Sequence, residues 1–299
     1  MSYKYVLCER KGEIARITFN KPEKLNCFDF PGQAGIFDEF HEALDEVEAD
    51  DDVKVLIIRG SGRAFSSGHD LNTIWLVYGG GKGEKKDERK PSQRARLNID
   101  RKWMEGHQRI MLFPKVTIAQ VHGYCLGEGA TIMEMCDIAI AAEDAQVGHI
   151  EQRIGFAGSG LNLVPFFHHV GARRARELLL TGRIISGKEA AEIGWVTRAV
   201  PFDQLEAEVE RVAQEIMLLP RDGISIGKAS NHLVYDILGM TQGWLQGYVT
   251  HTMFTNLRFE EGEYNLLKAR REKGTRTAFH GRDERYLQYE GEGGEEEKK

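Results

Sequence analysis

Two segments of the sequence carry an apolar strand directly into a run of small residues that opens a helix. The first is GSGRAFSSGHDL at residues 60–71, after the apolar run VKVLIIR, and the second is VHGYCLGEGA at residues 121–130. A helix that begins in such a turn exposes backbone N–H groups without intrahelical partners, and its dipole adds positive potential there. If both turns face one ligand, they can hold an oxyanion. Either turn alone is equally well explained by close packing of the backbone.

The elements around these turns alternate between strand and helix. Residues 3–19 predict a hairpin, and apolar residues at helical spacing in residues 35–50 predict a helix before the buried strand of residues 53–58. The cycle of strand, glycine-rich turn and helix recurs over residues 99–142, and beyond about residue 160 the pattern is mainly helical. Composition and periodicity therefore predict an α/β protein with a helical C-terminal part.

Length and composition limit the classes of function. The chain has 299 residues, 29% of them charged, and its longest apolar runs are too short to cross a bilayer. A formal net charge of −6 argues against general affinity for nucleic acid or anionic membranes, so neither is expected as a partner. The four cysteines form no Cys-x-x-Cys pair, so no metal site is predicted. The N-terminus resembles neither a signal peptide nor a presequence, which predicts a cytoplasmic protein.

Several segments, taken in order, resemble the crotonase family of acyl-CoA enzymes. They are FNKPEKLNCF, GRAFSSGHDL, VHGYCLGEG, AAEDAQVGHIEQRIGFAGSG, LLLTGRIISGKEAAEIGWVTRAV and FHGRDER. The resemblance implies a spiral of repeated β-β-α units over residues 1–200 and a C-terminal helical trimerisation region over residues 201–287. It also implies a homotrimer or a hexamer built as a dimer of trimers. The acidic composition of residues 288–299 predicts a disordered tail.

The resemblance implies that the two turns stabilise the enolate of a CoA thioester. By motif position, the donors are the backbone N–H groups of His69 and Glu128. Many relatives have glycine in place of Glu128, and because a carboxylate beside an oxyanion repels it, the Glu128 side chain is expected to point away. Neighbouring turn residues are expected to bind the substrate: Ser67, Gly68, Asp70, Leu71 and Gly127.

The acid–base residues decide which reaction such a site carries out. Hydratases of the family typically use two glutamates; the resemblance places Thr131 at the first of these positions and Glu151 at the second. Glu151 is therefore the predicted general acid or base, with a pKa expected to be raised by desolvation. Glu134 is a possible substitute for the missing carboxylate, and it is three residues from Thr131 on the same helix.

Three reactions are compatible with one glutamate and one hydroxyl. In hydration, Glu151 activates water while Thr131 holds it, and this lyase reaction is the leading prediction. In isomerisation, Glu151 alone moves a proton between the α- and γ-carbons. Hydrolysis of a carbon–carbon bond or a thioester usually needs a further His or Asp, for which His149 and His122 are the candidates. A non-catalytic scaffold that binds CoA esters is the competing class.

CoA enters this scheme as part of the substrate thioester, and no separate cofactor is predicted. Lys24 matches the family position near the pantetheine and nucleotide, and Phe279 resembles an aromatic residue that stacks near adenine in relatives. His149 is also expected to line the substrate site. Residues 79–96 are rich in glycine, lysine and glutamate and predict a mobile loop. Trp75 and Tyr78 precede it, and such aromatic walls suggest a bulky or cyclic acyl group.

Overall fold

The structure, a computed structural model, describes residues 3–73, 92–155, 162–253 and 259–289. The strands are β1 (Val6–Lys11), β2 (Ile14–Phe19), β3 (Val55–Gly60), β4 (Ala64–Ser66), β5 (Val116–Val121), β6 (Tyr124–Leu126), β7 (Ile138–Ala142), β8 (Gln146–Gly148), β9 (Ile185–Ser186) and β10 (Arg198–Val200). The helices are α1 (Ile36–Ala49), α2 (Gln93–Met111), α3 (Glu128–Met135), α4 (Leu163–Val170), α5 (Ala172–Thr181), α6 (Gly187–Glu192), α7 (Leu205–Met217), α8 (Arg221–Ile237), α9 (Met240–Met253), α10 (Leu266–Lys273) and α11 (Thr275–Asp283). No helix in these ranges is long and apolar enough to span a bilayer.

The strands form two sheets that the chain visits alternately. The six-stranded sheet has the order β1-β2-β3-β5-β7-β10, and the four-stranded sheet has the order β4-β6-β8-β9. Consecutive strands β3 and β4, β5 and β6, and β7 and β8 each place one strand in each sheet, and the equivalent strands pair in parallel. Because every pair leads towards a helical segment, the chain winds as repeated β-β-α units. The α/β prediction and the predicted spiral are therefore confirmed.

Apolar patterning explains the main elements around this spiral. The predicted hairpin forms as the antiparallel pair β1 and β2. In α1, the apolar residues at helical spacing all face the core, and the buried set is Ile36, Phe37, Phe40, Ala43, Leu44 and Val47. β3 is a central strand with Val55, Leu56, Ile57 and Ile58 almost wholly buried, as its uninterrupted apolar run predicts.

One turn between the two sheets shows why small residues are required there. Gly123 connects β5 to β6 with φ +53°, a conformation that favours glycine. A Cβ added to Gly123 would lie 1.9 Å from the backbone oxygen of Arg63. The strand exits are therefore packed backbone against backbone, which holds the following turns in fixed positions.

The segment predicted as a loop over residues 79–96 is partly helical. Helix α2 begins at Gln93, where the Ser92 side chain caps it by accepting a hydrogen bond from the Ala95 N–H at 3.2 Å. The loop prediction is therefore wrong for residues 93–96, because a serine cap overrides their polar composition. Trp75, Tyr78 and the rest of residues 74–91 lie outside the described residues, as do residues 290–299 of the predicted tail.

Candidate active site

The two glycine-rich turns lie against each other. Gly68 has φ +90°, and a Cβ added to it would lie 2.9 Å from the Leu126 carbonyl oxygen and 3.5 Å from the Glu128 nitrogen. Gly127 has φ +52°, and its added Cβ would lie 3.9 Å from the Gly68 Cα and 3.3 Å from Glu151 Oε1. The turn after β4, the turn after β6 and the carboxylate of Glu151 therefore converge at one place.

The backbone hydrogen bonds of these turns leave two N–H groups available. Phe28 donates to the Gly68 carbonyl and Asp70 donates to the Phe28 carbonyl, both at 2.8 Å, so the chain on either side of His69 is fixed. Gly127 donates to the Gly148 carbonyl at 2.9 Å, which fixes the residue before Glu128. Within the ranges that the structure describes, the N–H groups of His69 and Glu128 have no protein acceptor. Two amides with this property are suited to bind an anionic ligand atom.

The Glu128 carboxylate is buried and accepts hydrogen bonds from helix α2. Trp103 Nε1 donates to Oε2 at 2.9 Å and His107 Nε2 donates to Oε1 at 2.8 Å, while His69 Nε2 lies 3.4 Å from Oε2. Burial by itself raises the pKa of Glu128, but the charge and hydrogen bond of His107, aided by His69, hold that pKa well below its usual range. Glu128 is therefore an ionised carboxylate, and the hydrogen bonds from Trp103 and His107 offset the cost of burying its charge. Whether it points away from a bound oxyanion stays a prediction.

Helix α2 is positioned for this contact by two further interactions. Asn162 Nδ2 lies 2.7 Å from His107 Nδ1, which fixes the ring with its Nε2 towards Glu128. Two turns before His107 on α2, Asp100 accepts a hydrogen bond from Thr252 Oγ1 of α9 at 2.7 Å, with both side chains buried. Trp103 and His107 are four residues apart and face the same side of α2. That spacing is the only sequence signal for these two functional partners.

We expect the Glu128→Gly variant, which restores the residue of many relatives, to be less stable than the natural protein. The buried donors of Trp103 and His107 would lose their acceptor, at a cost of about 2 kcal/mol or more in the free energy of unfolding. Glu128→Gln keeps one acceptor oxygen and should lose less. Denaturant unfolding of the three proteins measures the order, and an unchanged midpoint for Glu128→Gly would contradict it.

The imidazole of His69 is held between aromatic rings. It stacks on Phe30 with ring centroids 4.6 Å apart and meets the edge of Trp103 at 4.1 Å. This packing fixes the side chain of the residue whose N–H is one of the two available donors. The sequence predicts a role for the His69 backbone only, and these ring contacts were not foreseen.

Glu151 lies in a 3₁₀ helix over Glu151–Ile154 and its side chain is 26% exposed. Its Oε2 lies 3.8 Å from Nδ1 of the buried His149. Burial raises the pKa of Glu151, but the hydrogen-bonding capacity and positive charge of His149 outweigh burial, so the pKa is lowered. The expected upward shift is therefore wrong in direction, because the pattern of apolar neighbours gave no sign of a buried cation beside the carboxylate.

The other acid–base candidates have separate positions. Thr131 is buried in α3, and its hydroxyl donates to the Gly127 carbonyl at 3.3 Å, one turn earlier. Glu134 accepts hydrogen bonds from His149 and Trp195 at 2.8 and 2.7 Å, so it holds His149 and its carboxylate is already occupied. His122 contacts the Gly62 carbonyl at 3.0 Å. Neither contact places Glu134 or His122 beside the converging turns.

Of the two residues expected to contact the CoA moiety, Lys24 lies next to the first turn. Lys24 is half exposed and its Nζ lies 3.1 Å from Asp70 Oδ2. Arg270 of α10 donates to the Leu71 carbonyl at 2.6 Å, so the C-terminal helices are fastened to this turn. Phe279 of α11 is half buried, with the Arg282 guanidinium 4.9 Å from its ring. Arg270 was not foreseen from the sequence, since a basic residue in a basic run carries no positional signal.

One further residue, Ser67, completes the predicted set. Ser67 is half buried, and its backbone N–H donates to the Leu25 carbonyl at 2.9 Å, which connects the first turn to the Lys24 segment.

Among the described residues, no group of three His, Cys, Asp or Glu side chains is arranged to hold a metal ion. Three of the four cysteines, Cys27, Cys125 and Cys136, are buried free thiols.

Comparison with known proteins places this geometry in a family. The family model described as enoyl-CoA hydratase/isomerase matches residues 9–272. A Thermus thermophilus relative, named as an enoyl-CoA hydratase, is 32% identical over 69% of this chain and 75% of its own. The crystal structure of an enoyl-CoA hydratase from Mycobacterium smegmatis superposes with a TM-score of 0.81 at 26% identity, covering 97% of each chain.

A second solved structure gives the same result. An enoyl-CoA hydratase/isomerase from Xanthobacter autotrophicus Py2 is 31% identical, has a TM-score of 0.79, and is matched over 95% of this chain and 99% of its own. The spiral of β-β-α units therefore has the crotonase fold, and the expectation of an enzyme of this type is confirmed. The chain belongs to the enoyl-CoA hydratase/isomerase family.

Proposed function

We propose that this enzyme hydrates enoyl-CoA thioesters through an enolate held by the N–H groups of His69 and Glu128. The observation that carries the proposal is the convergence of these two turns, whose N–H groups have no protein acceptor among the described residues, at the carboxylate of Glu151. Donors fixed at the thioester oxygen contribute a few kcal/mol each to lowering the barrier, roughly 2.7–4 kcal/mol in other enzymes.

The residues divide the hydration reaction between them. Glu151 removes a proton from water while the oxygen of that water bonds to the β-carbon, and the electrons of the double bond move through the α-carbon to the thioester oxygen. The two amides stabilise the resulting enolate. Glu151 then returns the proton to the α-carbon, which regenerates the thioester carbonyl. The low pKa of Glu151 keeps it ionised and ready to accept the first proton.

Thr131 takes a secondary part in this scheme. Its hydroxyl lies one turn into α3, next to the second oxyanion donor, and holds the water by a hydrogen bond. A hydroxyl does not replace a carboxylate as a base, so Glu151 handles both protons. His149 lines the site beside Glu151, and the CoA thioester brings the only cofactor group that the reaction uses.

Isomerisation of 3-enoyl-CoA is the second candidate function. A single observation favours it: the Glu151 carboxylate lies at the convergence of the two turns, and a proton shuttle between two carbons needs only one acid–base group. Hydrolysis is less well supported, because His149 is engaged by Glu134 and His122 by the Gly62 carbonyl. A scaffold without activity does not explain two free amides beside an ionised base.

One assay separates these functions. The natural protein is incubated with crotonyl-CoA, with enoyl-CoA esters of cyclic or aromatic acids and with a 3-enoyl-CoA, while ultraviolet absorbance and free thiol are followed. Hydration removes the conjugation of the thioester, isomerisation creates it, and hydrolysis releases CoA thiol. Failure to convert any of them would reject the proposed function. We expect the bulkier esters to react faster than crotonyl-CoA.

Lys24 provides a test of CoA binding. We expect Lys24→Met to raise KM for an enoyl-CoA about tenfold with little change in kcat, because one charge-assisted contact to the nucleotide phosphates is lost. The control substrate is the matching enoyl-pantetheine thioester, which lacks the nucleotide and should show an unchanged KM. An equal rise for both substrates would contradict phosphate binding by Lys24.

We also propose the trimer or hexamer implied by the resemblance. Helix α8 exposes apolar side chains that a lone subunit does not bury, and the most exposed are Ile226 at 65%, Leu233 at 71% and Ile237 at 85%. Light scattering coupled to size-exclusion chromatography measures the assembled mass. Cytoplasmic location stays a prediction.

A further inference from the structure

Three ionisable side chains follow one another from the core to the site. They are Glu134 of α3, His149 at the end of β8, and Glu151. Nε2 of His149 lies 2.8 Å from Glu134 Oε1, and its Nδ1 lies 3.8 Å from Glu151 Oε2. The imidazole therefore stands between two carboxylates, of which only Glu151 reaches the converging turns.

The inner carboxylate is a firm anchor. The Glu134 side chain is 1% exposed and accepts hydrogen bonds from both His149 and Trp195. His169 of α4 donates to the backbone carbonyl of the same residue at 3.3 Å, which fixes this end of α3. A buried carboxylate with two donors at 2.7 and 2.8 Å has no freedom to turn towards the substrate.

The imidazole is equally fixed by its packing. The edge of Phe166 meets the His149 ring with centroids 4.9 Å apart, and the Trp195 ring lies 5.4 Å away. The Nδ1 atom is buried, and among the described residues it has no hydrogen-bond partner. A buried polar atom without a partner is uncommon. Here it faces the Glu151 carboxylate at a distance slightly longer than a hydrogen bond.

The charges of the three groups point the same way. Burial lowers the pKa of His149, but Glu134 and then Glu151 outweigh burial and raise it to about 10, so the imidazole is protonated at neutral pH. The carboxylates of Glu134 and Glu151 and the imidazolium of His149 together carry one net negative charge. Of the two carboxylates, only that of Glu151 can reach a substrate. His69 is the other ionisable group that acts on Glu151, from the first turn.

We propose that His149 is a positioning residue, held by Glu134, which keeps the Glu151 carboxylate ionised and directed at the convergence of the two oxyanion turns. This inference rests on the proposed function only where Glu151 is the base. The 3.8 Å separation between His149 Nδ1 and Glu151 Oε2 leaves the carboxylate free to move towards the substrate. When the carboxylate moves back, Nδ1–H can donate a hydrogen bond to it. His149 acts through Glu151 and contacts no reacting atom in this role.

The pH dependence of kcat/KM tests the inference. In His149→Gln, the pKa of Glu151 should rise, so the acid limb of the profile should move up by about one pH unit, with kcat reduced about tenfold. The single variant leaves the buried Glu134 carboxylate without its cation, which could destabilise the fold. The double variant Glu134→Gln/His149→Gln removes both buried charges and avoids this problem. It should show the same displaced limb. His168→Gln, on the exposed side of α4, is the matched control and should keep the natural profile.

A titration without substrate separates this inference from the proposed function. Carbon-13 NMR of labelled glutamate, with Glu151 assigned by its loss in Glu151→Gln, gives the midpoint of Glu151 in each protein. A midpoint that rises in His149→Gln supports the positioning role even if no enoyl-CoA is turned over. An unchanged midpoint in a folded His149→Gln protein overturns it, whatever the activity.

Stability provides a second readout. Because the pKa of His149 is raised from about 6.5 to about 10 by folding, its contribution is fully present below pH 6.5 and is lost as the pH rises to 10. The melting temperature should therefore fall over this range more steeply for the natural protein than for Glu134→Gln/His149→Gln. Identical slopes would overturn the protonated state on which the positioning role depends.

Discussion

Replacing Glu151 by Gln is expected to reduce kcat for enoyl-CoA hydration at least about 100-fold, the usual range for loss of a general base. The amide has nearly the same shape as the carboxylate but cannot accept a proton from water. Because it leaves the two turns intact, KM should change little. Initial rates with saturating substrate measure the effect, and the thermal unfolding curve verifies that the fold is kept.

Glu143→Gln is the matched control for this experiment. Glu143 is an exposed glutamate after β7, eight residues earlier in the chain, and its loss should leave the rate unchanged. Turnover of Glu151→Gln at the natural rate would remove Glu151 from the reaction. Another group beside the two free amides would then have to transfer the protons.

The second large effect is expected for Gly68→Ala, which should lower kcat/KM at least about 100-fold, the loss seen when one oxyanion donor is removed. The added methyl group would lie 2.9 Å from the Leu126 carbonyl, so the first turn must move away from the second. The N–H groups of His69 and Glu128 then no longer meet at one oxygen. Steady-state kinetics measure the loss.

The left-handed backbone of Gly68 adds a separate cost, and a control isolates it. Gly262 has φ +86°, close to the +90° of Gly68, but no atom lies within 4 Å of a Cβ added there. Gly262→Ala should therefore lose only stability, about 1–2 kcal/mol, and keep its activity. If Gly68→Ala is as active as Gly262→Ala, the two amides do not work together.

The sequence predicts the frame of this site better than its electrostatics. The strand exits and the helix α1 follow from apolar runs and helical spacing, since these are local properties of the chain. The convergence of the turns follows from the order of several motifs. The Glu128 contacts do not, because the Trp103 and His107 donors precede Glu128 by 25 and 21 residues across a separate helix.

The direction of the Glu151 pKa shift could not be foreseen for a related reason. Its cause is the charge of His149, which depends in turn on Glu134. Glu134 precedes His149 by 15 residues, and β7 lies between them in the sequence. A sequence shows neighbours in the chain, whereas a pKa responds to neighbours in space. The start of α2 is different, because Ser92 is a local cap signal that outweighs the polar composition around it.

The contact between Arg270 and the Leu71 carbonyl joins residues 199 positions apart. When the ribosome has just finished the spiral, it has not yet synthesised Arg270, whose guanidinium binds the first turn. The turn therefore reaches its final hydrogen bonds only after the last helices have emerged and folded back. The conformation of this turn therefore depends on the C-terminal helices as well as on the strands beside it.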